Sequence, residues 1–389
     1  MYTRQLAAPH RSFFLFGPRG VGKSTWVSAA FPESKVLSLL DQRLYLRLLR
    51  DPHALDELTS TLRRGDWVVL DEVQRVPDLL NEVHRLIEEK HLNFALTGSS
   101  ARKLKRGAAN LLGGRANILK MTSLSQKELG KDFNLERALQ WGTLPMIVRD
   151  PGAAPDILES YVGTYLKEEI KEEGLVRKLE PFVRFLEVAG LMNGEILNLG
   201  NISREAAVVR TSLEGYFSVL EDTLLARRLF PYQPGLRVRE VKHPKLYWFD
   251  CGVARGAAGL MRDPVDSLWL GKSLETLILH ELDAYQNSHH TGRPTYYYRT
   301  GAGVEIDFVV ETRKKTLPQK AEVILIEAKH SKKWDRRWCE PCLEFSESGK
   351  VAVKHSLGVY LGKEELRFGK MQVLPLSRFL ELLHDGRFF

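Results

Sequence analysis

Cysteine is scarce in this chain, three in 389 residues, which excludes a disulfide framework and points to a reducing interior. Long apolar runs are missing as well. No stretch approaches the roughly 20 apolar residues of a membrane-spanning helix, and the first residues lack a signal-type apolar segment with a cleavage site. The expectation is a cytoplasmic protein with no membrane partner. Acidic residues are the minority charge, 49 against 57 basic ones, for a formal net charge of +8. That balance suits an anionic partner without requiring one. Between Ala101 and Lys120 there is no acid at all, while Arg102, Lys103, Lys105, Arg106, Arg115 and Lys120 supply cations. Such a run fits a solvated face as well as a binding site. What remains is an ordinary globular composition over a length that suits two or three domains.

The most specific pattern is the apolar run Phe13–Phe16 followed by Gly17, Pro18, Arg19, Gly20, Val21, Gly22, Lys23, Ser24 and Thr25. This is G-x-x-x-x-G-K-S, a phosphate-binding loop between a strand and a helix. The glycines let backbone N–H groups approach phosphate oxygens, Lys23 reaches the β/γ-phosphates, and the Ser24 hydroxyl suits Mg²⁺. A helix opening near Ser24 adds its positive end. ATP with Mg²⁺ is the expected cofactor pair.

About fifty residues on, Trp67-Val-Val-Leu-Asp-Glu72 reads as a buried parallel strand ending in two carboxylates, with a helical pattern over Leu44–Leu62 before it. Asp71 would hold the metal and Glu72 would polarise the attacking water. A further strand, Asn93–Thr97, runs into Gly98-Ser-Ser100. Thr97 and Ser99 would then lie at the carboxyl end of the sheet, as γ-phosphate sensors or simply as helix caps. Arg115, ahead of a strand over Ala116–Met121, is a candidate arginine finger.

These elements in this order, with Leu124-Ser-Gln-Lys-Glu-Leu129 after them, resemble a large prokaryotic family of AAA+ ATPases. In that family the ATPase is joined to a C-terminal domain of unassigned function. The resemblance covers nearly the whole chain and implies sensor roles for Thr97 and Ser99 and a finger role for Arg115. It also implies a homo-oligomer in which one subunit's arginine reaches its neighbour's nucleotide.

Residues 134 to 190 show helical periodicity, notably Tyr161–Ile170 and Pro181–Ala189, which suits a lid on the ATPase core; the break around Asp150–Ala154 reads as a hinge. Asn201–Leu220 then resembles a helix-turn-helix, followed by wing-like strands over Leu224–Pro231 and Lys245–Phe249. Ala207 sits where such turns favour Gly, Val209 cannot cap the second helix, and that helix brings only Arg210 as a cation. Packing and DNA binding both fit.

Toward the C-terminus an amphipathic helix starting near Ser273 carries Glu275 in its first turn. It is followed by Thr295–Thr300, Val304–Val310 and Val323–Lys329 as strands. Because strand side chains alternate, Glu305 and Asp307 share a face, as do Glu327 and Lys329. Asp307, Glu327 and the Ala328 carbonyl could ligate Mg²⁺, Glu275 could complete the shell, and Lys329 could orient or deprotonate water. The pattern resembles the PD-(D/E)XK nucleases, whose fold is often found at the C-terminus of this ATPase family. Downstream, Lys332, Lys333, Arg336 and Arg337 with Trp334 and Trp338 suit a nucleic-acid backbone and bases, or an exposed amphipathic helix. Trp338-Cys-Glu-Pro-Cys342 has the spacing of a redox motif but not its strand-to-helix context.

The expected fold is α/β: a P-loop AAA+ type parallel sheet over residues 1–130, a helical lid and winged-helix segment over 131–255, and a C-terminal PD-(D/E)XK nuclease-like domain over 256–389. DNA is the expected partner, and a protein partner also fits. The other readings are an ATP-driven switch or DNA-binding module with an inactive nuclease fold, and a partner-remodelling protein without nucleic acid.

Overall fold

Alternation along one short strand organises the first half of the molecule. The computed structural model describes residues 2–100, 112–166, 170, 179–234 and 243–389. In β1 (Phe13–Phe16) all four side chains are buried. Phe13 and Leu15 enter one apolar core and Phe14 and Phe16 another, as period-two side chains must when both sheet faces are covered. The sheet is parallel, in the order β2 (Lys35–Ser38), β3 (Trp67–Asp71), β4 (Asn93–Gly98), β1, β5 (Asn117–Lys120). β4 thus lies between the strand that feeds the glycine-rich loop and the strand that ends in Asp71.

The helical pattern over Leu44–Leu62 resolves into two helices, Gln42–Arg50 and Ala54–Leu58. Pro52 explains the break, since it disfavours helical geometry in Asp51 before it and lacks a donor. Asp41 caps the first of them by accepting from the Arg43 and Leu44 amides. The cationic positions Arg102, Lys103, Lys105 and Arg106 lie outside the described residues.

The middle of the chain folds onto the same core as Phe13 and Leu15. Leu144, Ile147, Leu158, Tyr161, Phe182, Phe185, Phe217, Trp248 and Val253 are continuous with it. The residues around Asp150 form a short turn of helix, Pro151–Ala153, running directly into the helix Ala154–Ser160. Tyr161–Leu166 is a π-helix rather than a regular α-helix. The helices Leu199–Glu205 and Arg210–Asp222 are joined through Ala207 at φ 49°, a left-handed conformation that glycine would adopt more cheaply. Val209 leaves the second helix without a side-chain cap. β6 (Ala226–Leu229) and β7 (Lys245–Trp248) follow as an antiparallel pair.

The last third is a six-stranded mixed sheet in the order β12 (Leu366–Phe368), β13 (Met371–Pro375), β11 (Ala352–Tyr360), β10 (Glu322–Lys329), β9 (Glu305–Arg313), β8 (Thr295–Arg299). β8, β9 and β10 form an antiparallel meander. The chain then crosses over through the helix Glu340–Glu347, so that β11 runs parallel to β10. The helix Ser267–His289 covers one face. It begins six residues earlier than its apolar pattern suggested, because Asp266 caps it by accepting from the Trp269 amide. Glu275 therefore sits in the third turn, not the first.

A buried polar contact ties two distant parts of the middle region together. Asp250 accepts from the Thr143 amide at 2.8 Å and caps the helix Cys251–Ala257. Gly142 leaves room for it: a Cβ there would fall 1.8 Å from Asp250 Oδ1, and its φ is +74°. Gly142→Ala should destabilise the protein by more than about 1 kcal/mol from the backbone alone, with the collision adding to this. Equilibrium denaturation of the two proteins measures the difference.

Candidate functional site

The carboxyl ends of β1, β2, β3 and β4 meet at one polar cluster. Strand register places Asp71 beside Ser38 and Thr97 near Leu15, directly before the glycine-rich loop. Asp71 is buried and accepts from the Thr97 hydroxyl, from Ser24 Oγ at 3.3 Å and from Ser38 Oγ at 3.3 Å. A buried carboxylate is costly unless so partnered. Lys23 is buried too; its Nζ donates to the carbonyls of Gly17 at 2.6 Å and Pro18 at 3.0 Å. The ammonium is thereby kept at the loop itself. Gly20 and Gly22 take positive φ, 80° and 97°, as the loop requires. The helix Lys23–Ala30 starts immediately after.

Glu72 stands at φ 60°, where a non-glycine residue is uncommon. Gln74 Nε2 donates to Glu72 Oε2 at 2.5 Å and to Ser99 Oγ at 3.2 Å, tying the two strand ends together. Gly98 admits this arrangement, since a Cβ there would lie 2.4 Å from Gln74 Oε1. The helical region also touches the loop. Tyr161 donates to the Arg19 carbonyl at 2.9 Å, and a Cβ on Gly20 would meet Met146 at 2.6 Å. Beside Gly22 and Thr25, a cavity of about 660 Å³ is bounded by Tyr2, Arg4, Val21, Trp26 and Arg149. Ser38, Gln74, Met146 and Tyr161 have no motif to mark them.

Arg115 is not brought to this cluster. It pairs with Glu88 on the helix Leu79–Lys90. It also precedes β5 at the end where Asn117 pairs with Phe13. The loop leaves the other end of β1, after Phe16, so Arg115 and Lys23 lie at opposite ends of two neighbouring strands.

A second cluster of charge forms in the last third. The structure brings Glu275, Asp307, Glu327 and Lys329 together, and adds Lys245, Tyr247 and Glu305. Asp307 Oδ2 accepts from the Ala328 amide at 2.8 Å, and Lys329 Nζ lies 2.5 Å from Glu327 Oε1. Lys245, 4% exposed, reaches in from β7, with its Nζ 2.6 Å from Glu305, 3.5 Å from Glu275 and 4.0 Å from Asp307. Tyr247, on the same face of that strand, donates to Glu275 Oε2 at 2.6 Å. Glu327 Oε2 is buried without a hydrogen-bond partner.

Burial, followed by the charge of Asp307, pushes Glu275 up to about 7 and Glu327 up to about 8. Burial pulls Lys245 and Lys329 down, but the surrounding carboxylates outweigh it and hold both above the ordinary lysine value. Among the described residues, no three His, Cys, Asp or Glu side chains form a group that could hold a metal ion. The Lys245 ammonium stands between Glu275, Glu305 and Asp307, where a divalent ion would need their oxygens. The expected set of Glu275, Asp307 and Glu327 is thus assembled as neighbours but not as a ready ligand shell.

Trp334 is not a free stacking surface. It underlies Gly358, donates to Cys339 Sγ at 3.3 Å and packs edge-on against Trp338 and Tyr360. Arg337 pairs with Asp335 at 2.5 Å. Cys339 and Cys342 are both buried, one ending a short helical turn and the other within the helix Glu340–Glu347.

Residues 9–130 match the AAA domain. Residues 132–263 and 270–379 match two domains of unknown function, DUF8612 and DUF4143. The chain is 26% identical over 320 residues to an uncharacterized protein of Mycobacterium tuberculosis, covering 79% of this chain and 70% of that one. It is 21% identical over 343 residues to an uncharacterized protein of Methanocaldococcus jannaschii, covering 80% and 74%. Among solved structures it is similar to the Aeropyrum pernix ORC2 protein at 13% identity and TM-score 0.37, covering 66% of this chain and 88% of that chain. The A. pernix ORC1 protein in complex with DNA is similar at 12% identity and TM-score 0.32, covering 65% and 87%.

Glu327 binds its proton more tightly folded than at its ordinary value of 4.5. The folded state therefore holds the extra proton as pH rises above 4.5, and its stability falls until the folded value near 8 is passed. Thermal unfolding at pH 5 and pH 8 should show a loss for the wild type that Glu327→Gln reduces, by on the order of 1 kcal/mol or more. The match of residues 9–130 to the AAA domain, on a P-loop whose lysine, serine and strand-end aspartate converge, supports an ATPase.

Proposed function

We propose that this chain is an AAA+ type protein that hydrolyses ATP and couples its nucleotide state to a C-terminal, PD-(D/E)XK nuclease-like domain acting on DNA. The observation that carries the first half is the convergence of Lys23, Ser24, Asp71 and Thr97 at the carboxyl edge of a parallel sheet.

In this reading Lys23 exchanges the carbonyls of Gly17 and Pro18 for phosphate oxygens, and loop amides from Gly17 to Thr25 cradle the remaining charge. Ser24 and Asp71, already neighbours, fit Mg²⁺ as an oxygen-donor set. The ion, when bound, offsets charge on the β- and γ-phosphates. Glu72 accepts the proton of the attacking water, and Gln74 holds it in place until then. Thr97 and Ser99 report on the γ-phosphate from the adjacent strand. The cavity bounded by Tyr2, Trp26 and Arg149 takes the nucleoside. Arg115, at the end of its own sheet away from the loop, can serve as a finger only toward another copy, which makes the active form a homo-oligomer.

For the C-terminal half, support comes from topology: a helix, an antiparallel meander, a crossover helix and a parallel strand, with Asp307, Glu327 and Lys329 on adjoining strands. The helix pair Leu199–Glu205 and Arg210–Asp222, with β6 and β7, has the order of a winged helix. A second reading, an ATP-driven switch with a catalytically inactive nuclease fold, is favoured by Lys245, which fills part of the carboxylate cluster.

Lys23→Ala should abolish ATP binding. Glu72→Gln should lower kcat for hydrolysis by roughly 10²-fold or more while leaving ATP affinity intact; hydrolysis at the wild-type rate would remove Glu72 from its role. Strand scission of varied DNA with Mg²⁺ and ATP should be present in the wild type and lost in Lys329→Ala. Salt-dependent DNA binding without scission would select the switch reading instead.

A further inference from the structure

The outer half of the last sheet carries a surface that neither cluster uses. β11, β13 and β12 lie side by side, and their register sets Arg367 opposite Gln372 and Gln372 beside Leu357. The three therefore share one face. His355, two residues before Leu357, is on the same side and meets Phe388 edge-on at 5.7 Å. Together with Lys354 and Lys370 these residues wall a groove of about 450 Å³, lined chiefly by polar and charged side chains.

Lys354 reaches the groove through an irregularity in its strand. Val323 of β10 lies beside Val353 and Ile324 beside His355, so Lys354 is an extra residue with no partner on β10. Such a bulge re-aims a side chain, and between parallel strands it is uncommon. The packing records the extra residue. Val353 and His355, two apart, would share a face in a regular strand. Instead Val353 packs against the cluster of Val323, Leu325 and Phe345, whereas His355 meets Phe388 in the cluster that holds Leu357. Burial, then the Lys354 charge, lowers His355 below its ordinary value of 6.5. The imidazole is therefore neutral near pH 7, and the cations of the groove are Lys354, Arg367 and Lys370.

All three are exposed. Arg367 donates from Nε to the Gly369 carbonyl at 3.3 Å, which leaves its two terminal nitrogens for another acceptor. Among the described residues none of the three pairs with a carboxylate, and Glu365, the acid at the rim, is taken by Arg378 at 3.1 Å. Unmatched cations around an open polar groove suit phosphate oxygens. Among the described residues no Phe, Tyr or Trp lines it, so bases have nothing to stack on. Lys354 and Arg367 stand on strands that flank β13, at least about 10 Å apart, which exceeds the reach of a single free anion and suits successive phosphates of one strand. We infer that this groove seats the phosphate backbone of a nucleic acid, with Lys354, Arg367 and Lys370 on phosphates and Gln372 donating to a phosphate or sugar oxygen. This rests on reading the last domain as one that acts on DNA, and it names the surface that holds the DNA without reading its sequence.

The test is fluorescence anisotropy of a short labelled DNA duplex with the full-length protein across a salt series. The wild type should bind with a steep salt dependence. Lys354→Gln, Arg367→Gln and Lys370→Gln should each reduce the slope of log K against log salt by about one, and weaken the original and a scrambled sequence alike. Lys354→Glu combined with Lys370→Glu should weaken binding by about tenfold or more. The matched control, Lys314→Glu with Lys315→Glu, makes the same change in net charge at exposed positions after β9 and should leave binding near the wild-type value. ATP hydrolysis and thermal midpoints should be unchanged in all of them. DNA binding that the groove reversals leave intact, or that the control lowers as much, would overturn the groove while sparing the DNA-acting reading. Absence of DNA binding by the wild type would overturn both.

Discussion

Buried charge is the constraint on which this architecture depends. The buried polar and charged side chains are held by partners, some local and some drawn from distant parts of the chain. Asp71 is satisfied by hydroxyls from β2, β4 and the P-loop helix. Lys23 is satisfied by the loop it belongs to. Lys245 needs carboxylates from the helix Ser267–His289 and from β9. Of the three, Lys245 is the one whose partners lie in another region, and it ties β7 to the last domain.

The same constraint separates the two clusters in character. Around Asp71 the partners are neutral hydroxyls, which can be traded for a metal and phosphate without leaving a second ion exposed. Around Asp307 the partners are themselves charged, so any exchange must move a lysine. The first arrangement is suited to repeated loading and unloading, whereas the second holds its state until something displaces an element of structure.

Much of the first cluster was legible in the sequence because its chemistry is local. A glycine-rich loop after four apolar residues, and a carboxylate pair at the end of an apolar strand, are contiguous patterns whose geometry follows from strand and turn rules. The Asp307, Glu327 and Lys329 relation was legible for the same reason, through alternation along β9 and β10. Lys245 and Tyr247 were not, since β7 lies some sixty residues before Asp307 and no spacing rule links a wing-like strand to a later sheet. The start of the Ser267–His289 helix was misplaced because Gly271 reads as a break, although Asp266, three residues before Trp269, is a cap signal that was there to be used. That Arg115 precedes β5 at the strand end away from the P-loop follows from the sheet order, which no local motif reveals.

The route between the first and last regions is short and dry. Glu281, fully buried, accepts from the Gln126 amide at 2.7 Å and lies 2.7 Å from His384 Nε2, while Lys127 donates to the His384 carbonyl and Gln5 approaches the other ring nitrogen. The final helix is thus riveted to the strand exit and leading segment of the nucleotide domain. A machine built this way cannot work by letting its last domain swing free on a tether.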